Sequence, residues 1–205
     1  MSKINRIGFG AWQLGGTNIV EGKNAGWTDL EDSESVRLVS KALDLGVNFF
    51  DTSDAYGNGK SETMLGKVIG NNPNVAICTK FGAKKNGDEY ISDFSADYAE
   101  QALHASLKRL RRELIDYFLL HSPTPEQITP ELIARLNKLK QQGKVNKIGI
   151  SITFLKPYEA FFNSFDCFEV LYNPLTTQNL EILPELSTKE IFARSVFSSG
   201  LLLKP

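Results

Sequence analysis

Asn48-Phe49-Phe50-Asp51-Thr52-Ser53-Asp54-Ala55-Tyr56-Gly57 is the stretch on which the reading of this chain turns. Val47 to Phe50 is a short apolar run, the pattern of a buried strand. It stops at Asp51, an ionisable residue rarely tolerated deeper in a core. One turn-forming loop then leads to Tyr56 and Gly57. A carboxylate at a strand end is thus tied by a few residues to a phenol. Two later strands end in the same manner. Val75 to Thr79 runs into Lys80, and Ile115 to Leu120 runs into His121.

Working outward from this stretch, strands and helices alternate. Ile4 to Phe9 reads as a first strand, followed by the glycine-rich segment Gly10-Ala11-Trp12-Gln13-Leu14-Gly15-Gly16. A polar loop from Thr17 to Asp32 carries Trp27. A helix is expected from near Ser33, with Val36, Val39, Ala42 and Leu43 on one face and Gly46 as terminator. Another is expected over Glu62 to Ile69, and a loop over Phe81 to Asp93. Ser95 suits the cap of a long helix with Ala99, Ala102, Leu103, Leu107 and Leu110 inside. Thr129-Pro130 opens a further helix, which Gly143 ends. Lys147 to Ile150 ends at Ser151, and Phe168 to Leu171 ends at Tyr172-Asn173-Pro174. Ile191 to Ala193 ends at Arg194-Ser195. Leu155 to Phe162 and Leu180 to Leu186 read as helical.

This alternation calls for parallel strands with crossover helices. A doubly wound sheet would carry G-x-G-x-x-G after its first strand, and the glycines here do not keep that spacing. A (β/α) barrel of the TIM type puts polar residues at successive C-terminal strand ends, facing one mouth. Asp51, Lys80, His121, Ser151, Asn173 and Ser195 follow that rule, so we expect an α/β chain, residues 1–205 forming one barrel domain of about seven strands.

The bulk numbers fit. The 205 residues suffice for one sizeable core, and a formal charge of -1 gives no reason to expect nucleic acid as a partner. Lys108, Arg109, Arg111 and Arg112 crowd a helix end, where cations complement the helix dipole. No apolar run reaches the ~18 residues of a membrane span, and no signal peptide precedes Ile4. Cys78 and Cys167 sit in apolar strands and read as buried thiols of a reducing compartment, so a cytoplasmic protein is expected. No His, Cys and Asp set has metal-ligand spacing, and no metal is expected.

Each strand-end residue has a plain structural role open to it: Asp51 or His121 as a turn cap, Lys80 as a solvated strand end, Tyr56 as a loop anchor. Together they make chemistry. A lysine ammonium beside a phenol favours the phenolate and lowers its pKa from about 10. Asp51 would hold Lys80 charged and aimed, and a neutral His121 would hydrogen-bond a substrate oxygen. Such a group donates a proton to a developing alkoxide, which suits carbonyl reduction.

On these residues the chain resembles the aldo-keto reductases. The resemblance rests on the segments from Gly8 to Gly16 and from Gly46 to Gly57, on Ser61-Glu62, Leu65-Gly66 and Thr79-Lys80-Phe81-Gly82. Asp116-Tyr117 with His121, Ile148-Gly149-Ile150-Ser151, Tyr172-Asn173-Pro174 and Gly200-Leu201-Leu202 complete it. It implies a (β/α)8 barrel, NADPH as cofactor, a small-molecule aldehyde or ketone as substrate, and Asp51, Tyr56, Lys80 and His121 as the catalytic set. It also implies cofactor contacts at Gly10, Trp12, Ser151, Glu169, Arg194, Ser195, Phe197 and Gly200. Departures accompany it. The chain stops after the seventh strand, short of the segment that holds the adenosine phosphate in the family, so weak NADPH binding is expected. A second copy of the chain or the leucines at 201–203 would cover the open seam. Ile152, Glu169 and Arg194 stand where an asparagine, a glutamine and an aromatic are usual. Three functions follow as expectations: an NADPH-dependent carbonyl reductase; a non-redox isomerase or lyase using the same four residues; and a non-catalytic partner subunit that keeps the site by descent.

Overall fold

The computed structural model describes residues 4–17, 19–20, 23–24, 26–86 and 89–203. Seven parallel strands form one sheet: β1 (Phe9–Gly10), β2 (Phe49–Asp51), β3 (Ala76–Phe81), β4 (Ile115–His121), β5 (Val145–Ile152), β6 (Cys167–Leu171) and β7 (Glu190–Arg194). Their order in the sheet is their order in the chain. A doubly wound sheet reverses direction part-way; this one never does, so it curls as a TIM-type barrel lacking its last unit. Four α-helices lie between the strands: α1 (Asp32–Asp44), α2 (Lys60–Val68), α3 (Ala96–Leu110) and α4 (Pro130–Gln141). After β5 the crossovers shrink to 3-10 turns at Lys156–Phe161, Gln178–Glu181 and Leu183–Leu186.

Strand alternation sorts the side chains into two cores. Phe50, Ile77, Phe118, Leu120, Ile148, Ile150, Phe168 and Val170 face outward and pack with Val39, Leu65, Leu103, Leu107, Leu132 and Leu136 of the helices. Phe49, Ala76, Cys78, Tyr117, Leu119 and Cys167 fill the barrel, with Phe192 against them. Phe192 stacks on Phe49 at 4.8 Å and meets the edge of Tyr117 at 5.0 Å, tying β7 to β2 through the interior. Among the described residues, β1 and β7 form no ladder with each other. No helix there is long and apolar enough to cross a membrane.

The expected caps are in place: Ser95 Oγ accepts from the Tyr98 N–H, and Thr129 Oγ1 from that of Leu132. The basic end of α3 turns inward. Arg112 donates to the carbonyls of Gly70, Asn72 and Val75 and pairs with Asp116 at 2.8 Å, while Arg109 pairs with Glu62.

Three expected segments need correction. The first strand is only Phe9–Gly10, not Ile4 to Phe9. Asn5 takes the ladder's place: its N–H donates to Asn48 Oδ1 and its side-chain amide to the Gly46 carbonyl. The expected loop from Phe81 to Asp93 contains an antiparallel hairpin, Ala83–Asn86 with Glu89–Ser92. The polar loop after Gly16 likewise pairs Ile19–Val20 with Lys23–Asn24.

Candidate functional site

The strand ends converge as the barrel requires. Register pairs Gly10 with Asp51, His121 with Ser151, Ser151 with Glu169 and Leu171 with Arg194, so these strand ends lie together at one mouth. Lys80 is wholly buried there. Its ammonium donates to Asp51 Oδ1 at 2.5 Å and to the Thr52 carbonyl at 2.9 Å, and lies 3.2 Å from Glu169 Oε2. Burial alone would strip the charge from Lys80, but the carboxylates of Asp51 and Glu169 outweigh it and hold the pKa well above the usual value.

Glu169 is the hub of a second set of bonds. Its Oε1 accepts from Ser151 Oγ at 3.0 Å, and Arg194 Nε stands 3.7 Å from that same oxygen. Burial, then the nearby Asp51 charge, push its pKa up to about 7, with Lys80 acting against them. Arg194 is anchored further by donation to Thr153 Oγ1 at 3.2 Å.

Tyr56 and His121 form the opposite wall. Their rings meet edge to face at 5.8 Å, and Lys80 Nζ lies 5.3 Å from the centre of the phenol ring. His121 is driven down to about 3 by burial and then by the Lys80 charge, so its imidazole is neutral. The expectation that Lys80 lowers the Tyr56 pKa is not met in sum. Lys80 does pull it down, but burial is the larger effect and lifts it to about 12. The phenol is therefore fully protonated at neutral pH, in the form of a proton donor.

Sequence reasoning overlooked one part of this wall. Trp27, taken as a loop residue, accepts at its carbonyl from Thr17 Oγ1 and packs edge-on against Trp12 at 5.6 Å. Trp12 in turn lies 6.3 Å from Tyr56. Three aromatics and His121 thus form a row, with both tryptophans partly exposed. A tryptophan isolated in a polar loop near a glycine-rich turn was the available signal.

The glycine segment fixes where Tyr56 sits. A Cβ on Gly15 would come within 2.7 Å of Tyr56 C and Gly57 N, while Gly57 needs φ +61°. Two backbones touch there, and neither can yield as a flexible side chain would. We expect Gly15→Ala to cost about 1–3 kcal/mol of stability and to displace Tyr56. Denaturant unfolding measures the first effect and initial rates the second. An unaltered midpoint together with an unaltered rate refutes it.

The remaining candidate positions are placed as follows. A Cβ at Gly10 would meet nothing within 4 Å, leaving open backbone beside Asp51. Ser195 adopts φ +56°, and its carbonyl accepts from Asn173 Nδ2 and the Ser198 N–H. Phe197 is exposed, and Gly200 closes a turn by donating to the Phe197 carbonyl. None of these three bonds to the Lys80 group. Ile152 does not face the mouth at all. It pairs with Val170 and lies in the outward apolar core, so it removes no hydrogen-bonding side chain from the site. Asp51, Cys78 and Glu169 offer ligand atoms within 4.8 Å of one another, a grouping that residue spacing did not disclose. The Lys80 ammonium already bonds the Asp51 carboxylate and lies beside that of Glu169, and burial holds the Cys78 thiol far above its usual pKa.

A barrel mouth holding this tetrad is matched over residues 6–204 by the model of the aldo/keto reductase family. The chain belongs to the aldo/keto reductase family. It is 35% identical to an L-galactose dehydrogenase of Arabidopsis thaliana over 73% of its own length and 45% of that protein's. An aldo-keto reductase of Schizosaccharomyces pombe, named for NADP(+), is 33% identical, with 72% and 42% covered. The chain therefore spans under half the length of these two relatives. Among solved folds, the holo form of an aldo-keto reductase from Bacillus halodurans superposes with a TM-score of 0.85 at 24% identity, over 98% of this chain and 66% of that one.

Proposed function

We propose that the chain is an oxidoreductase that reduces a small aldehyde or ketone, with Tyr56 as proton donor and Lys80, Asp51 and His121 as its supporting set. The observation that carries this is Lys80, buried without exposure between two carboxylates and beside the Tyr56 ring. So costly a burial of charge is expected where the charge has work to do. As a carbonyl oxygen gains negative charge, Tyr56 gives up its proton and Lys80 stabilises the phenolate left behind. His121, neutral throughout, aligns the oxygen.

The electron pair is the part of NADPH: its nicotinamide, when bound, supplies hydride. The donor chemistry at the mouth fits the carboxamide of that ring. Ser151 offers a hydroxyl, and Glu169, with its pKa at about 7, can accept and, when protonated, donate. Trp12 and Phe197 present exposed aromatic faces near the rim, and Arg194 adds positive charge. The relative named for L-galactose makes polyhydroxy aldehydes and ketones the first substrates to try.

Isothermal titration with NADPH, followed by its absorbance in the presence of aldehydes, is the test. Saturable binding with carbonyl-dependent NADPH oxidation is the expected result. Turnover of a carbonyl compound without NADPH, lost in Tyr56→Phe, would replace the reductase by an isomerase or lyase built on the same four residues.

A further inference from the structure

The imidazole of His121 is held from behind by a pair of residues that the chemistry above does not use. Ser53 Oγ lies 3.0 Å from His121 Nδ1 and 3.2 Å from Asp54 Oδ1. It also accepts from the Ala55 N–H at 3.1 Å. Ser53 is fully buried and Asp54 nearly so. A hydroxyl has one proton and two lone pairs. The Ala55 N–H takes one lone pair. One donor and one acceptor position remain for two partners, Asp54 and His121, so their roles are linked.

Only two arrangements satisfy this count. With Asp54 ionised, the Ser53 hydroxyl must donate to it, and His121 must donate from Nδ1 to the remaining lone pair. The neutral ring then has a bare Nε2. With Asp54 protonated on Oδ1, the oxygen that faces Ser53, its O–H donates to Ser53, Ser53 donates to Nδ1, and the ring proton sits on Nε2. Among the described residues no group bonds to Nε2, which points away from Ser53 and is left for a ligand. A carbonyl oxygen can only accept, so it requires the Nε2–H form. An alcohol hydroxyl can donate to a bare Nε2.

We propose that Asp54, acting through Ser53, sets the tautomer of His121 and so decides whether the mouth favours a carbonyl or an alcohol. Asp54 is a positioning residue in this scheme, and its link to turnover rests on the carbonyl-reducing reading above. Its surroundings favour titration in the working range. Burial, then the Glu62 carboxylate on α2, push it up to about 7. Ser53, Arg109 of α3 and the Ala55 N–H pull the other way, and the Tyr98 phenol of α3 also senses its charge. His121 itself stays neutral under the influence of burial and of Lys80, Glu169 and Arg194. One proton is therefore shared out between its two nitrogens at every pH of interest.

Nitrogen NMR of the protein labelled at histidine tests this without any turnover. The chain has only two histidines, His104 and His121, so one His121 variant assigns both. Between about pH 5.5 and about 8.5, the His121 signals should exchange from the Nε2–H to the Nδ1–H pattern. Asp54→Asn places an amide donor against Ser53 and should lock the Nε2–H form across that range. Ser53→Ala removes the bridge and should abolish the pH response. A wild-type tautomer that does not change with pH, or a change that survives in both variants, overturns the relay. The kinetic arm is separate. Carbonyl kcat/KM should fall as pH rises through about 7 in the wild type, and the fall should be absent in Asp54→Asn. An intact NMR response without that kinetic difference keeps the relay and removes its part in substrate choice. Loss of all carbonyl turnover in the wild type fails the reductase reading alone.

Discussion

Tyr56→Phe is expected to lower carbonyl turnover by at least ~100-fold while the protein unfolds at nearly the same denaturant concentration. The substitution deletes one hydroxyl and keeps the ring. The ring holds the structural contacts: Trp12 at 6.3 Å, the edge of His121 at 5.8 Å and the Lys80 ammonium at 5.3 Å. Phenylalanine preserves all three. The acidic proton is lost, and no described neighbour can replace it. Lys80 is pinned to Asp51, Thr52 and Glu169, and His121 is not an imidazolium acid because burial and the Lys80 charge drive its pKa to about 3. The pH dependence of the wild type follows with a definite sign. Burial keeps the phenol protonated up to about 12, so Tyr56 itself produces no alkaline loss of reduction near neutrality. Any fall near pH 7 belongs to Asp54 or Glu169, whose values both lie there. Initial rates for both proteins, with urea unfolding alongside, make the comparison. Unchanged turnover removes Tyr56 from the mechanism.

Three of the tetrad were legible because each interrupts or follows an apolar run at a place where a barrel strand must end, and Tyr56 because one short loop ties it to the first of them. Asp51, Lys80 and His121 could be placed from that rule alone, and Ser151 by the same logic. Glu169 and Arg194 were harder. Glu169 lies within an apolar strand and Arg194 at the end of one, and the inward phase of β6 and β7 brings Glu169 beside Lys80 and Arg194 beside Glu169. Ile152 stays out of the site for the matching reason: one residue beyond Ser151, the alternation turns it outward into the helix-facing core. The short β1 escaped notice because side chains satisfy the backbone before it, Asn48 accepting from the Asn5 N–H and the Asn5 amide donating to the Gly46 carbonyl, which hydrophobic pattern cannot reveal. The hairpin after β3 was hidden by its Lys, Asn and Gly composition, although Asn86-Gly87 is itself a hairpin signal. Asp54 looked like an ordinary turn former. What changes its character is α2 and α3 closing over it with Glu62 and Arg109, contacts made across the sequence.

Lys80→Met should be the most destabilising change at this site, costing about 3–5 kcal/mol at neutral pH. Methionine nearly fills the volume, so packing is not the cause. The cost comes from Asp51 and Glu169, which the ammonium now separates at 2.5 and 3.2 Å. Without it two carboxylates face each other in a buried space. Glu169 already stands at about 7 through burial and the Asp51 charge, and Lys80 is the chief group opposing that rise. Removing Lys80 pushes it higher. The sign of the pH effect follows. A carboxyl group whose folded pKa is raised holds its proton more tightly when folded. Its stabilising contribution is complete below the unfolded value of about 4.3 and disappears as pH climbs through the folded value. The deficit of the variant should therefore be largest in alkali and shrink towards acid, as the carboxyls take up the protons that replace the lost cation. Turnover should fall on the order of 100-fold in parallel, since a phenol already lifted to about 12 loses the charge that stabilises its phenolate. Urea unfolding of both proteins at about pH 5 and about pH 8 measures the difference directly. An equal deficit at both values would mean that Lys80 contributes by packing alone, and would remove the two-carboxylate cage as the reason for its burial.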